Sequence, residues 1–412
     1  MTALSLARPL APATQTHEID RISTPQGPVP RIYDEFWTAK QRQMHSLHYA
    51  VSYRASFKPE LPDYFIRRLT RVGDTVADPF GGRGTTALQA ALLGRRAISN
   101  DINPLSERIT SPKLNPVTPQ AIEERLAEIP FRAHRDLSKE EDLSMFYHPD
   151  TFLELVNLKN YLKRHRDPID RFIEMVAISR LHGHSPGFFS AYSFPQISIP
   201  KANQVKINRT RGVEPEYRDI ASRILKKGKS ILKDGGVEEI RRSGLISRFT
   251  TNDSRKLKDW ETGSVNLVVT SPPFLNQVDY IQDSWLEMWF CDIDSDKFRN
   301  QLVQTASLDE WKQFISDTLS ELHRVLVPGG YLAMEVGEVR HQGELLNLEE
   351  VIINMTCNKQ YNAGQYRVLQ VLVQSQEFTK LANCFQVKNN VLGTNTNRII
   401  LMEKIASPVS RR

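Results

Sequence analysis

Cysteine is scarce in this chain of 412 residues, with three cysteines at positions 291, 357 and 384. Cysteines so widely spaced support neither a disulfide framework nor a zinc site, and they are typical of a reducing interior. We therefore expect a cytoplasmic protein. Long apolar runs are also missing, because none approaches the roughly 20 residues that span a bilayer, so no membrane partner is expected. His182 and His184 lack a carboxylate or cysteine at ligand spacing, and we expect no metal.

The chain also lacks two common nucleotide-binding signatures. Its most glycine-rich turn, DPFGGRGTT from Asp78 to Thr86, has neither the Gly-Lys-Ser/Thr of a triphosphate-binding loop nor the G-x-G-x-x-G spacing of a dinucleotide fingerprint. Gly81, Gly82 and Gly84 nevertheless let a ligand approach the backbone without a Cβ in the way. Amides at the start of the following helix favour an anionic group such as a carboxylate. The turn predicts a small cofactor; taken alone, it is equally typical of a purely structural loop.

Positive charge is present in excess and concentrated in one segment. The formal net charge is +6, which permits a polyanionic partner without requiring one. The segment from Lys201 to Arg242 holds 12 Lys and Arg against 6 Asp and Glu. Its net charge, 12 − 6 = +6, equals the net charge of the whole chain. We interpret it as a phosphate-contacting surface, with a solvated helix face as the alternative. The candidate DNA-binding residues are Arg209, Arg211, Lys226 and Lys227.

Strand and helix signals alternate along the chain and predict an α/β domain. A strand at 74–77, the glycine turn, a helix over 85–93 that Gly94 ends, and a strand at 96–101 form a βαβ unit. The pattern resumes with strands at 246–250, 265–270, 331–336, 366–373 and 397–404, and with a helix over 308–327 that Gly329 and Gly330 end. We expect a flexible leader over 1–30, an α/β domain over 31–115 and 245–412, and an inserted, mainly helical, basic module over 116–244.

Three acids follow predicted strands of this domain. Asp78, Asp101 and Asp253 each come at or just after a strand end, and parallel strands bring their carboxyl ends to one edge of a sheet. There Asp101 is placed to accept hydrogen bonds from ribose hydroxyls, and Asp253 is placed to meet an adenine amino group. Each acid alone is as typical of a helix cap or a turn.

A second turn, Ser271-Pro272-Pro273-Phe274, follows the strand at 265–270. Proline fixes φ and lacks an N–H, so the turn is stiff. An exocyclic amino group of a base is a poor nucleophile because its lone pair is delocalised into the ring. A proline carbonyl and the Ser271 hydroxyl can accept its two hydrogens, and Phe274 can stack on an extruded base. A simple loop terminator is the alternative interpretation.

Together, DPFGGRGTT, Asp101 and TSPPF resemble the S-adenosylmethionine-dependent amino-methyltransferases of DNA, of the restriction–modification type. Ser52 to Leu69 looks like the segment of that family that closes over the methionine end of the cofactor. The serine before Pro-Pro resembles the N4-cytosine members more than the N6-adenine members. The glycine motif precedes the insertion, which is the family's alpha order, and many N4-cytosine members have the reverse order.

The resemblance implies a class I methyltransferase-like fold, with a mostly parallel seven-stranded sheet and helices on both faces, and S-adenosyl-L-methionine as cofactor. It implies that Asp78, Phe80, Gly81 and Gly84 shape the cofactor pocket, that Asp101 holds the ribose and Asp253 the adenine, and that Ser271, Pro272, Pro273 and Phe274 grip the target base. The implied reaction is methyl transfer to N4 of a flipped cytosine in double-stranded DNA of a prokaryotic cell. The insertion becomes the target-recognition module, and a cognate restriction nuclease becomes an expected partner.

Three alternatives stay open. The same enzyme acting on N6 of adenine is the nearest one. A methyltransferase of RNA or of protein side-chain amides is another, because similar proline turns serve those substrates. A catalytically inactive DNA-binding specificity protein belongs to a different class, and the intact Asp101 and Ser271 argue against it.

Overall fold

The computed structural model describes residues 18–37, 43–194, 197–273, 275, 279–341, 343–358, 360–361, 363–374 and 397–405. Its strands form one large sheet and one separate hairpin. The strands of the large sheet are β1 (Glu18–Ile22), β2 (Val29–Asp34), β3 (Thr75–Asp78), β4 (Arg96–Asn100), β5 (Arg248–Thr250), β6 (Val265–Thr270), β7 (Leu326–Val336), β10 (Tyr366–Gln374) and β11 (Asn397–Lys404). The hairpin strands are β8 (Glu338–His341) and β9 (Glu344–Asn347).

Seven strands of the large sheet lie in the order β5-β4-β3-β6-β7-β11-β10. The strands from β5 to β7 are parallel to one another. Strand β11 runs antiparallel to both β7 and β10. One reversed strand near the end of a parallel sheet is the class I methyltransferase-like arrangement, so the predicted fold is confirmed. The carboxyl ends of β3, β4, β5 and β6 meet at one edge, where α/β sheets bind ligands.

Two further strands extend this sheet and differ from the expected flexible leader over 1–30. Strand β2 pairs parallel with β10, and β1 pairs antiparallel with β2. The Arg31 side chain on β2 is 9% exposed and makes ion pairs with Asp20 and Glu350. The edge of β10 would otherwise present unpaired main-chain groups, and β2 satisfies them. Residues 18–22 and 29–34 therefore belong to the sheet.

The helices cover both faces of the sheet. They are α1 (Glu60–Leu69), α2 (Thr85–Leu92), α3 (Leu105–Leu114), α4 (Pro119–Glu128), α5 (Pro149–Arg164), α6 (Pro168–Ile178), α7 (Lys201–Arg211), α8 (Ile220–Ile231), α9 (Val237–Leu245), α10 (Trp285–Phe290), α11 (Asp296–Arg299), α12 (Leu308–Val325) and α13 (Leu348–Cys357). Single 3-10 turns span Ser46–Tyr49 and Gln282–Ser284. Within the described ranges, no helix has both the length and the apolar character to cross a membrane.

Alternate strand residues bury against two apolar clusters. Val76 belongs to the first cluster and its neighbour Ala77 to the second, as the two-residue period of a strand requires. Helices α1 to α6, α8 and α9 contribute to the first cluster, and α12 and α13 to the second. The segment over 116–244 contains α4 to α8 and most of α9, separated by irregular stretches such as 179–194. Helices α4, α5, α6, α8 and α9 share the apolar cluster of α2 and α3.

The sequence predicts that Gly329 and Gly330 end the helix over 308–327, and the structure differs. Helix α12 ends at Val325, and β7 begins at Leu326 and includes both glycines. Pairing with β6 passes from Val265–Leu326 directly to Leu267–Tyr331, so the residues between bulge out of the ladder. Gly329 has a φ of +75°, which glycine adopts at little cost. The glycines therefore bend a strand instead of preceding one.

Candidate functional site

An open pocket lies at the carboxyl edge of the parallel strands. The turn after β3, the loops after β4 and β5 and the turn after β6 all reach it. Seven residues that the sequence singles out line it: Phe80, Gly81, Gly82, Asp101, Asp253, Ser271 and Pro273. The segment 53–57, just before α1, lines it as well. The glycine turn and the Ser-Pro-Pro turn are distant in sequence and share one pocket.

Gly84 supports the pocket from outside its lining. It precedes α2 with a φ of +76°, and its N–H donates to Gly81 O at 2.7 Å. A Cβ at this position would lie 2.2 Å from Thr110 Cγ2 on α3. Glycine is therefore required both by the left-handed backbone and by the close approach of α3. Gly84 sets how the turn enters α2.

Asp78 is buried beneath the two turns and is not among the residues that line the pocket. Its Oδ1 accepts hydrogen bonds from Thr270 Oγ1 at 2.6 Å and from Phe80 N at 3.0 Å. Burial raises the pKa of Asp78 to about 7. The carboxyl group thus links the end of β3 to the end of β6, which holds the glycine turn beside Ser271.

Asp101 lies on the pocket wall directly after β4. Its Oδ2 accepts from Gly82 N at 2.8 Å and its Oδ1 from Asn103 N at 2.9 Å. Burial raises its pKa to about 6. Each carboxylate oxygen has a second lone pair, so two further donors can be bound. Tyr53 covers the same wall, because a Cβ on Gly82 would lie 3.5 Å from its ring.

Asp253 also lines the pocket, but its carboxylate is already paired. Arg255 Nη2 donates to Asp253 Oδ2 at 2.6 Å, and Arg255 Nε is within 3.0 Å of both oxygens. Burial acts to raise the pKa of Asp253, and the Arg255 hydrogen bonds outweigh it and lower that pKa. The Arg255 guanidinium also lies 5.7 Å from the centre of the Phe314 ring, which lines the pocket. Arg255 is a site residue that the sequence analysis missed.

The turn after β6 presents Ser271 and Pro273 to the pocket, while Pro272 is buried behind them. Pro273 O accepts a hydrogen bond from Trp311 Nε1 at 3.0 Å. Trp311, on α12, therefore fixes the position of the turn and occupies one of the proline carbonyls. The predicted stacking residue Phe274 lies outside the described residues.

Glu335 is a second residue that the sequence analysis missed. It lies on β7, next to β6, and its side chain is hydrogen-bonded to Ser271 and to Asn397 Nδ2, 2.5 Å from Glu335 Oε1. Burial raises the pKa of Glu335 to about 7, although both hydrogen bonds act to lower it. The signal available in the sequence was one acid inside the otherwise apolar strand YLAMEV.

The four candidate DNA-binding residues lie apart from the pocket lining and differ in environment. Arg209 and Lys226 are exposed. Arg211 is also exposed, with its guanidinium 3.5 Å from the centre of the Tyr192 ring. Lys227 is partly buried, and its Nζ donates to Tyr49 O at 2.9 Å. Lys227 therefore has a structural contact, whereas Arg209 and Lys226 present their charges to solvent.

Comparison with known proteins adds independent findings. Residues 11–111 match the model of the N6 and N4 methyltransferase family, described as DNA methylase. The Type II methyltransferase M.BsoBI of Geobacillus stearothermophilus is 23% identical over 356 residues, which are 78% of this chain and 66% of that protein. The Type II methyltransferase M.MjaII of Methanocaldococcus jannaschii is 29% identical over 128 residues, which are 31% of this chain and 22% of that protein.

Among solved structures, TrmN from Thermus thermophilus is similar with 12% identity and a TM-score of 0.33, over 85% of this chain and 50% of that one. The chain spans 66% and 22% of the lengths of the two Type II relatives.

Proposed function

We propose that this chain, which belongs to the N6 and N4 family of DNA methylases, transfers a methyl group from S-adenosyl-L-methionine to the N4 amino group of a flipped cytosine in double-stranded DNA. The observation that carries the proposal is the shared pocket of Asp101, the glycine turn and Ser271. Cofactor-holding and amine-holding groups must meet within one pocket for a direct methyl transfer, because positioning supplies much of the rate.

The pocket suits the cofactor in three respects. Asp101 has lone pairs left to accept from two ribose hydroxyls, since each of its oxygens receives one backbone N–H, from Gly82 and from Asn103. Phe80 and Phe314, with ring centres 5.8 Å apart, supply apolar walls for an adenine ring. Gly82 presents its backbone to the pocket without a side chain, whereas a Cβ on Gly81 would point at Ser99 Oγ, 2.2 Å away. When bound, S-adenosylmethionine supplies an electrophilic methyl group on a sulfonium.

Asp253 has a narrower role than the sequence predicts. Arg255 already holds both carboxylate oxygens, so the adenine amino group competes with a charged donor for this acceptor. Asp253 still lines the pocket, and Arg255 holds its carboxylate in one orientation. We assign Asp253 and Arg255 together to the adenine end of the cofactor.

Ser271 and Glu335 account for the reaction at the amine. The Ser271 hydroxyl donates to Glu335, which leaves the lone pairs of its Oγ for a hydrogen of the base amino group. Accepting that hydrogen favours a localised lone pair on the nitrogen. The nitrogen forms the new N–C bond, the carbon–sulfur bond breaks, and one amine proton leaves through Ser271 to Glu335. A carboxylate with a pKa of about 7 suits a proton acceptor at neutral pH.

The choice of cytosine rests on the serine before Pro272, which resembles the N4-cytosine members, and adenine N6 is the alternative. Duplex DNA as the substrate is supported by the family and by exposed cations such as Arg209 and Lys226. The Ser-Pro-Pro turn lies at the back of the pocket, where Pro272 is buried. A base must leave the DNA duplex to reach this turn, so base flipping is part of the proposal.

The test measures transfer of a tritiated methyl group to duplex DNA by the wild type, by Ser271→Ala and by Ser264→Ala. Ser264 directly precedes β6, and Ser271 directly follows it, so the control removes a hydroxyl at the far end of the same strand. We expect Ser271→Ala to lose most transfer while it binds the cofactor normally in calorimetry, and Ser264→Ala to behave as the wild type. Cofactor binding without transfer by the wild type would favour an inactive specificity protein.

A further inference from the structure

Within the described residues, helix α7 packs against the protein through one face. Gln204 is buried, and its Nε2 donates to Tyr192 O at 2.8 Å. Asn208, one turn later, donates from Nδ2 to Met145 O at 2.7 Å. The other face of the helix presents Asn203 and Arg209 to solvent. Lys206 lies between these two residues on the outer face, and Val205, which is 44% exposed, lies one turn before Arg209 on its side of that face.

The charge of α7 is of one sign. Its eleven residues KANQVKINRTR contain four cations and no acid. Lys201 pairs with Glu141 and Arg211 lies over Tyr192. Within the described part of the chain, Lys206 and Arg209 form no ion pair. An exposed helix face with unneutralised cations complements a polyanion.

The start of α7 is fixed to the rim of the pocket. Ser198 N donates to Asp283 O at 2.7 Å, and Trp285 Nε1 donates to Ile199 O at 3.2 Å. Asp283 in turn accepts from Arg54 Nη1 at 2.6 Å, and Arg54 lines the pocket. A duplex placed with one base at the pocket would therefore lie close to α7.

We infer that the outer face of α7 enters the major groove of the DNA substrate and reads base edges through Asn203 and Arg209. The inference rests on the proposed function. A helix with its side chains is about 10–12 Å across and fits a groove about 12 Å wide. Arginine and asparagine are the side chains that bond bidentately to guanine and adenine edges, and an apolar residue such as Val205 contacts a thymine methyl group.

The experiment compares Asn203→Ala and Arg209→Ala with the wild type and with Arg71→Ala. Arg71 is an exposed cation between α1 and the amino end of β3, at the sheet edge opposite the pocket. Each protein methylates a random-sequence duplex library, and sequencing of methylated bases gives its recognition motif. We expect each α7 variant to lose about 5- to 150-fold in kcat/KM on the wild-type motif and to accept more than one base at one position. Arg71→Ala keeps both motif and rate.

Cofactor affinity and melting temperature, measured on every variant, separate this loss from misfolding. An unchanged motif with an unchanged rate, or with an equal loss on every sequence, overturns groove reading and leaves the proposed function standing. If the wild type binds cofactor and transfers no methyl to DNA, the proposed function fails. Fluorescence anisotropy with duplex DNA then decides on α7: equal affinities of the wild type and Arg209→Ala overturn the inference, and a loss specific to the α7 variants supports DNA docking there.

Discussion

Replacing Glu335 by glutamine separates its chemistry from its role in the fold. The substitution keeps the shape of the side chain and an acceptor oxygen for Asn397 Nδ2, which lies 2.5 Å away. It removes the negative charge that accepts the Ser271 hydroxyl hydrogen. A hydrogen bond to a charged group contributes about 1.5–3 kcal/mol, so we expect the methyl-transfer rate to fall roughly 10- to 150-fold.

The pH dependence gives the same residue a second signature. Burial raises the pKa of Glu335 from 4.5 to about 7, so the ionised fraction of the wild type, and with it the transfer rate, rises through about pH 7. The Glu335→Gln variant lacks this rise. Asp78 has a pKa of about 7 as well. The difference between the pH–rate profiles of the wild type and Glu335→Gln is therefore what is assigned to Glu335.

Stability is expected to move in the opposite direction to activity. Between pH 4.5 and about 7 the unfolded chain loses the Glu335 proton before the folded protein does, so wild-type stability falls as pH rises through this window. The loss is on the order of 3 kcal/mol above pH 7. Glutamine does not titrate, so Glu335→Gln should unfold at a higher urea concentration than the wild type at pH 8 and at a similar one at pH 5.

The assay measures kcat at saturating cofactor and DNA from pH 5.5 to 9, with urea unfolding at pH 5 and pH 8. A double variant with Ser271→Ala completes a mutant cycle. If Glu335 acts through Ser271, the double variant is no slower than Ser271→Ala alone. A Glu335→Gln protein with the wild-type rate and pH profile, or additive losses in the cycle, would refute the reasoning.

Three further predictions follow from individual contacts. Gly84→Ala forces a left-handed alanine and places its Cβ 2.2 Å from Thr110 Cγ2; urea unfolding should show a loss of about 2–5 kcal/mol, and wild-type stability would contradict the packing argument. Asp101→Asn removes a charged acceptor and should weaken cofactor binding about tenfold or more in calorimetry. Because the pKa of Asp101 is about 6, the wild type should also bind cofactor more weakly at pH 5 than at pH 8, and a flat profile speaks against its role. Ala55 has a φ of +56°, a left-handed backbone that strains alanine, so Ala55→Gly should raise the free energy of unfolding by about 1 kcal/mol in a thermal melt. An unchanged melting temperature would contradict this strain.

The βαβ unit around the glycine turn could be predicted because its signals are local. The strand leading to Asp78, the helix beginning at Thr85 and the cap at Gly94 each depend on neighbours within one or two turns of chain. The place of Asp101 in the site could be predicted from the same unit, since a residue directly after a parallel strand lies at the ligand-binding edge of the sheet. The conformation of such segments is determined by nearby residues, so the sequence alone predicts it.

Contacts between distant segments were not predictable in the same way. Glu335 meets Ser271 because β6 and β7 are neighbours in register, with Thr270 opposite Met334, and the spacing in sequence does not reveal that pairing. Strand β2 was missed because its partner, β10, lies more than 300 residues later, and β1 was missed with it because β1 pairs with β2. Arg255 is near Asp253 in sequence, but its bidentate pairing depends on a loop conformation that no periodicity reports.

The central claim is that this pocket methylates the N4 amino group of cytosine in duplex DNA. The most direct test incubates the protein with S-adenosylmethionine and unmethylated duplex DNA, digests the DNA to nucleosides, and separates them by liquid chromatography with mass detection. The account predicts N4-methylcytosine, absent when Ser271→Ala replaces the wild type. N6-methyladenine as the only product would contradict the assignment of the target base, and no methylated nucleoside at all would contradict the proposed activity.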